Sequence, residues 1–231
     1  MSKLSPDLPL IPPRAKTRYS PRMKHLPNIL TGLRLVLTLV VFLAMLGLAS
    51  QPFIGWALGK GADPQVLQTA LYFTAFWGFA IAAVTDFLDG WLARKLKVES
   101  LLGAILDPIA DKVLVAGAVV GLAILGSWMV ALAGGLILFR EFAVSALRET
   151  LAPRGLKLPV TLLAKWKTTL QLIALAGQLF VGGWIAWGLP RDPDLARRDS
   201  MAADIVLWLA VAVTLWTGAV YALAARKALK E

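Results

Sequence analysis

A succession of apolar runs of membrane-spanning length constrains this chain most, beginning with Ile29 to Ala49 and Leu67 to Thr85. An α-helix needs about 20 residues to cross the roughly 30 Å of hydrocarbon in a bilayer. Backbone N–H and C=O groups find no water there, so such runs fold as helices. Hydrophobic residues fill 58% of the 231 positions and the mean hydropathy is +0.70, which excludes a soluble domain of ordinary composition.

Four further runs follow: a third ending by Gly126-Ser127 and starting near Ile105, a fourth from about Trp128 to Ser145 that continues to Glu149, a fifth from near Pro159 to Trp187, and a last from about Ala202 to Leu223. The expected fold is therefore all-α, a polytopic integral membrane protein of six transmembrane helices. Basic residues set its orientation. The connectors on one side carry eighteen Lys and Arg and those on the other side four, leaving out Arg34 and Lys112 within helices. That bias places both termini in the cytoplasm. The formal charge of +10 is spent at helix ends and against anionic lipid headgroups, so no nucleic-acid partner is expected. Residues 1–22 hold Pro6, Pro9, Pro12, Pro13 and Pro21, which bars a regular helix and predicts a mobile basic arm. Residues 23–231 are expected to form the six-helix domain. The first run is longer than the apolar core of a secretory signal and carries Arg34, so it reads as a membrane helix. With no Cys, thiolate chemistry is excluded, and the single His25 reads as an interface residue.

Four aspartates stand beside these runs. Asp86 and Asp89 are three apart, Asp107 and Asp111 four apart, so each pair projects from one helical face. A charged carboxylate near the centre of a membrane helix costs roughly 2.5–3.5 kcal/mol. A divalent cation offsets that cost, and hard ions such as Mg²⁺ or Mn²⁺ take oxygen ligands. Small residues at Gly90, Ala93 and Gly103 permit close approach to the backbone, and Arg94 supplies a fork-shaped donor suited to phosphate. A cation-transport path is the alternative that the aspartates leave open, although such a site is expected near the midplane between related halves.

The pattern D-x2-D-G-x2-A-R-x8-G-x3-D-x3-D, complete over residues 86–111, resembles the signature of the CDP-alcohol phosphatidyltransferases. The resemblance implies two divalent cations, Mg²⁺ or Mn²⁺, on Asp86, Asp89, Asp107 and Asp111, with Asp111 also the general base. It implies displacement at the β-phosphorus of a CDP-linked lipid by an alcohol, with release of CMP. P-N-x2-T-x2-R at residues 27–34 is similar to the family as well. Asn28, Thr31 and Arg34 recur at about one turn, and with Asp89, Gly90, Ala93, Arg94 and Gly103 they are the expected contacts of CDP-diacylglycerol. The family also implies a homodimer and, for a bacterial chain, a multi-pass protein of the inner membrane among its lipids, with the active site facing the cytoplasm.

The acceptor alcohol rests on other residues. R-E-x2-V-S-A-L-R-E at 140–149 and K-x-K-T-T-x-Q at 165–171 resemble the branch of the family that uses sn-glycerol 3-phosphate. Arg140, Arg148, Lys165 and Lys167 are then the expected phosphate clamp, since an anionic acceptor needs fixed cations without compensating carboxylates. Serine, inositol phosphate or phosphatidylglycerol are the rival acceptors for the same chemistry.

Overall fold

The computed structural model describes residues 26–50, 63–96, 101–154 and 162–229, with side chains over 29–50, 63–88, 106–153, 166–227 and 229. They form six long helices: α1 (Leu26–Ala49), α2 (Pro64–Leu96), α3 (Leu101–Ile124), α4 (Trp128–Leu151), α5 (Leu162–Gly182) and α6 (Pro193–Ala228). A short 3₁₀ turn, Ala152–Arg154, follows α4. The expected N-terminal arm and His25, with residues 51–62, lie outside the described residues.

Among the described residues, Ile29–Ala49, Pro64–Leu88, Trp128–Leu151 and Pro193–Lys227 are long and apolar enough to cross a membrane. The chain turns its polarity outside in. Arg34, Arg140, Lys167, Gln171, Thr31, Thr214 and Thr217 are buried, while Trp77, Phe139, Ile205 and Trp216 face outward. Surfaces of that kind suit a lipid exterior, where apolar exposure carries no cost and polar groups must satisfy one another inside.

Every helix contributes to one core: Met45 of α1, Phe79 of α2, Leu114 of α3, Ile137 of α4, Leu175 and Leu179 of α5, and Leu207 of α6. Helix α1 packs against both α2 and α3, α4 against α3 and α6, and α5 against α6, α2 and α3. At the α3–α4 contact the backbones approach closely because Gly134 has no side chain. A methyl there would overlap Val119. Gly134→Ala is therefore expected to lower stability in detergent by about 1–3 kcal/mol. An unchanged melting temperature would show that α3 and α4 part freely at that point.

Two helices outrun their expected bounds. Helix α2 continues past the apolar run that ends at Thr85 to Leu96, about 50 Å in all at 1.5 Å per residue, so Asp86 and Asp89 are helical as their spacing predicts and the helix runs on through Arg94, where a connector was expected to begin. Helix α6 starts at Pro193 instead of near Ala202. The cause is local. Asp192 caps the start, its carboxylate accepting from the N–H groups of Asp194 (2.9 Å) and Leu195 (3.4 Å). Pro193 then occupies the first turn, where its missing N–H is harmless, and Asp194 complements the helix dipole. Ser127 caps α4 similarly, accepting from Val130 N–H at 3.3 Å. Helix α3 runs through Pro108.

Candidate active site

Thr31, Arg34 and Thr38 recur along one face of α1 and are buried, the first two completely. Their partners sit on α2 and α3. Thr31 Oγ1 donates to Asp107 Oδ1 at 2.5 Å. Arg34 Nη1 lies 2.7 Å from Asp86 Oδ1 and 2.5 Å from Asp111 Oδ1. Thr38 Oγ1 bonds back to the Arg34 carbonyl at 2.8 Å. The pairs Thr31–Asp107 and Arg34–Asp111 keep one order, so α1 and α3 run parallel with their polar faces in register. A buried guanidinium requires compensating charge, and two carboxylates from separate helices supply it. Arg34→Gln is accordingly expected to lower stability by about 1–3 kcal/mol, because it strips a charge-assisted partner from half-buried groups. Thermal melting in detergent reads this, and a loss below about 0.5 kcal/mol would remove Arg34 from the frame of the site.

Asp86 and Asp111 keep 30% and 46% of their side-chain surface exposed and line a cavity of about 890 Å³. Arg140, Arg148, Lys167 and Thr168 line the same cavity. Lys112, Glu141 and Glu149 line it too, so carboxylates and cations share one space, with Asp86 and Asp111 contributed by α2 and α3 and Arg140, Arg148 and Lys167 by α4 and α5. The described residues hold no group of three or more His, Cys, Asp or Glu that could bind a metal ion, and the Asp89 side chain lies outside them. Two hard oxygen donors from different helices nevertheless converge on one cationic point at Arg34 Nη1, a donor chemistry that fits Mg²⁺ or Mn²⁺.

The side that carries Arg140, Arg148 and Lys167 is built on α4, α5 and α6. Arg140, only 6% exposed, donates from Nε to the Thr214 carbonyl (3.1 Å), from Nη2 to Thr217 Oγ1 (3.0 Å) and from Nη1 to Glu141 Oε1 (3.4 Å). Lys167 Nζ pairs with the same Glu141 oxygen, which also accepts from Gln171 Nε2 at 3.4 Å. Gln171 reaches Thr214 Oγ1 at 2.8 Å. Arg148 differs. Its Nη2 donates to the Tyr221 hydroxyl at 3.2 Å, and among the described residues it makes no ion pair. Gly218 leaves room for this arrangement, since a Cβ there would lie 2.8 Å from Arg140 Cγ.

The structure therefore brings Asp86, Asp111, Arg140, Arg148 and Lys167 to one cavity and ties Thr31, Arg34 and Asp107 to the side that carries the aspartates. Asn28, Asp89, Gly90, Ala93, Arg94, Gly103 and Lys165 fall within helices, but their side-chain surroundings lie outside the described residues. The cations of the expected clamp are not all free of carboxylates, because Glu141 serves Lys167 and Arg140. Glu141 and Gln171 stand in the motifs at 140–149 and 165–171, but sequence reasoning gave neither a role, and it missed the contribution of α6. The signal for α6 was there: Thr214, Thr217 and Tyr221 stand at i, i+3 and i+7, a polar line on an otherwise apolar span.

Comparisons with known proteins bear on this geometry. The model of the CDP-alcohol phosphatidyltransferase family matches residues 24–216. A CDP-diacylglycerol–glycerol-3-phosphate 3-phosphatidyltransferase of Cereibacter sphaeroides is 44% identical over 183 residues, covering 75% of this chain and 69% of the relative. A protein of the same name from Rickettsia bellii is 40% identical over 149 residues, covering 64% and 77%. Another, from Rickettsia felis, is 34% identical over 204 residues and covers 88% and 97%. Since the aspartate motif, the T-x2-R face of α1 and the cations of α4 and α5 all fall within the matched stretch, this chain belongs to the CDP-alcohol phosphatidyltransferase family.

Proposed function

We propose that the protein transfers a phosphatidyl group from CDP-diacylglycerol to sn-glycerol 3-phosphate, yielding phosphatidylglycerophosphate and CMP. One observation carries the reading: Asp86 and Asp111 share a single cavity with Arg140, Arg148 and Lys167, as a diphosphate donor and a phosphorylated acceptor require. The names of the relatives from Cereibacter and Rickettsia point to the same pair of substrates.

The acceptor phosphate is held by Arg140, Arg148, Lys165 and Lys167, which directs the acceptor's hydroxyl toward Asp111. Asp111 takes the hydroxyl proton as the oxygen attacks the β-phosphorus. The new P–O bond forms as the bond to the bridging oxygen breaks, and CMP leaves with the electron pair. Asn28, Thr31, Arg34, Asp89, Gly90, Ala93, Arg94 and Gly103 bound the space for the CDP end, and the acyl tails stay in lipid. Two divalent cations, Mg²⁺ or Mn²⁺, held by Asp86, Asp89, Asp107 and Asp111 would neutralise charge on the diphosphate. Divalent-metal dependence is general in the family. Arg34 and Thr31 hold three of those carboxylates in place. The Lys/Arg bias supports six spans with both termini in the cytoplasm and a site that opens at the cytoplasmic face of a bacterial inner membrane, and the family resemblance supports a homodimer.

Purified protein given CDP-diacylglycerol, glycerol 3-phosphate and Mg²⁺ should release CMP, stop on chelation and resume when Mg²⁺ or Mn²⁺ is restored. Release driven by serine, inositol phosphate or phosphatidylglycerol, with none from glycerol 3-phosphate, would replace the acceptor named here.

A further inference from the structure

We infer that Tyr221 is the positioning residue that holds Arg148 charged and aimed in the acceptor site, and thereby favours a phosphorylated acceptor. The inference rests on the reading of Arg140 and Arg148 as acceptor-phosphate ligands. Tyr221 lies five residues beyond the stretch that the family model matches, is 3% exposed and stands outside the residues lining the cavity. It acts through the two arginines. The guanidinium carbon of Arg148 lies 5.1 Å from its ring centroid and that of Arg140 lies 5.6 Å away, both inside the range of a cation–π contact.

Two like charges eight residues apart on α4 need an arrangement that offsets their repulsion. A carboxylate between them would do so, but it would also cancel charge that a phosphate dianion needs. An aromatic face attracts both cations through its quadrupole and adds no negative charge, so Arg148 keeps its own. Its hydroxyl accepts from Arg148 Nη2, which fixes the fork's direction. The contrast is with Glu141, whose carboxylate pairs with Lys167 and with Arg140, so that of these three cations Arg148 makes no ion pair among the described residues. Helix α6 thus presents Arg148 charged and aimed, with Arg140 anchored beside it by the Thr214 carbonyl and the Thr217 hydroxyl.

The test compares full-length wild type with Tyr221→Phe and Tyr221→Leu in detergent–lipid micelles, following CMP release against glycerol 3-phosphate and, separately, CDP-diacylglycerol. Tyr221→Leu should raise KM for glycerol 3-phosphate about tenfold and leave KM for the CDP-lipid and kcat within about twofold. Tyr221→Phe keeps the ring and should recover KM to within about threefold of wild type. If Tyr221→Leu does not fold, Tyr221→Met, of comparable bulk but without a π face, carries the same comparison. An unchanged KM for glycerol 3-phosphate, or an equal rise in both KM values, overturns the role of Tyr221 and leaves the acceptor assignment standing. Wild type that releases no CMP with glycerol 3-phosphate overturns the acceptor assignment, and this inference with it.

Discussion

Asp111→Asn is expected to reduce CMP release by about a thousandfold or more while changing KM for CDP-diacylglycerol only a few-fold. A positioned general base contributes roughly 10²–10⁴ in rate, and an amide cannot take the acceptor's proton. Two features of the site extend the effect. Asp111 faces the cavity that holds the basic residues, and its Oδ1 shares Arg34 Nη1 with Asp86, so the substitution also removes half of that guanidinium's charge compensation. The amide still accepts a hydrogen bond, which keeps α1 near α3 and confines most of the loss to turnover. Initial rates at saturating Mg²⁺ check this. A variant retaining a tenth of the wild-type rate would take Asp111 out of the base role.

Arg148→Ala is the second large effect, expected to raise KM for glycerol 3-phosphate about 10- to 100-fold with kcat and KM for the CDP-lipid little changed. A hydrogen bond to a charged group is worth about 1.5–3 kcal/mol, and each 1.4 kcal/mol is tenfold. Arg148 is singled out over its neighbours by what else each cation does. Arg140 spends three donors on Thr214, Thr217 and Glu141, and Lys167 is paired with Glu141. Removing either disturbs the packing of α6 or strands a carboxylate, whereas removing Arg148 takes only a hydrogen bond and a cation–π contact from Tyr221. If Arg148→Ala weakened CDP-lipid binding while sparing the acceptor, the two ends of the cavity would be assigned the wrong way round.

Spacing made much of this legible. Carboxylates three and four residues apart must share a helical face, and so must Thr31 and Arg34, because a helix repeats every 3.6 residues. What spacing cannot express is which faces meet. That Thr31 bonds Asp107 while Arg34 bridges Asp86 and Asp111 depends on α1 packing against both α2 and α3, a tertiary fact. Glu141 escaped notice because it follows Arg140 directly and stands about 100° around the helix from it; only a cavity broad enough to span both directions unites them. Tyr221, Thr214 and Thr217 were hidden by the apolar run around them. The start of α6 was legible in Asp192-Pro193-Asp194, a capping signature that the count of charges nearby masked.

The Arg34 contacts also bear on how the protein is made. Chains are synthesised from the N-terminus, and 77 positions separate Arg34 from Asp111. Helix α1 therefore meets the insertion machinery with a cation whose counter-charges do not yet exist, at a cost of roughly 2.5–3.5 kcal/mol if it is placed in mid-bilayer. Until α2 and α3 follow, that charge costs less at the headgroups, where it stays solvated. Arg34 thereby couples the insertion of α1 to the later helices that carry its counter-charges.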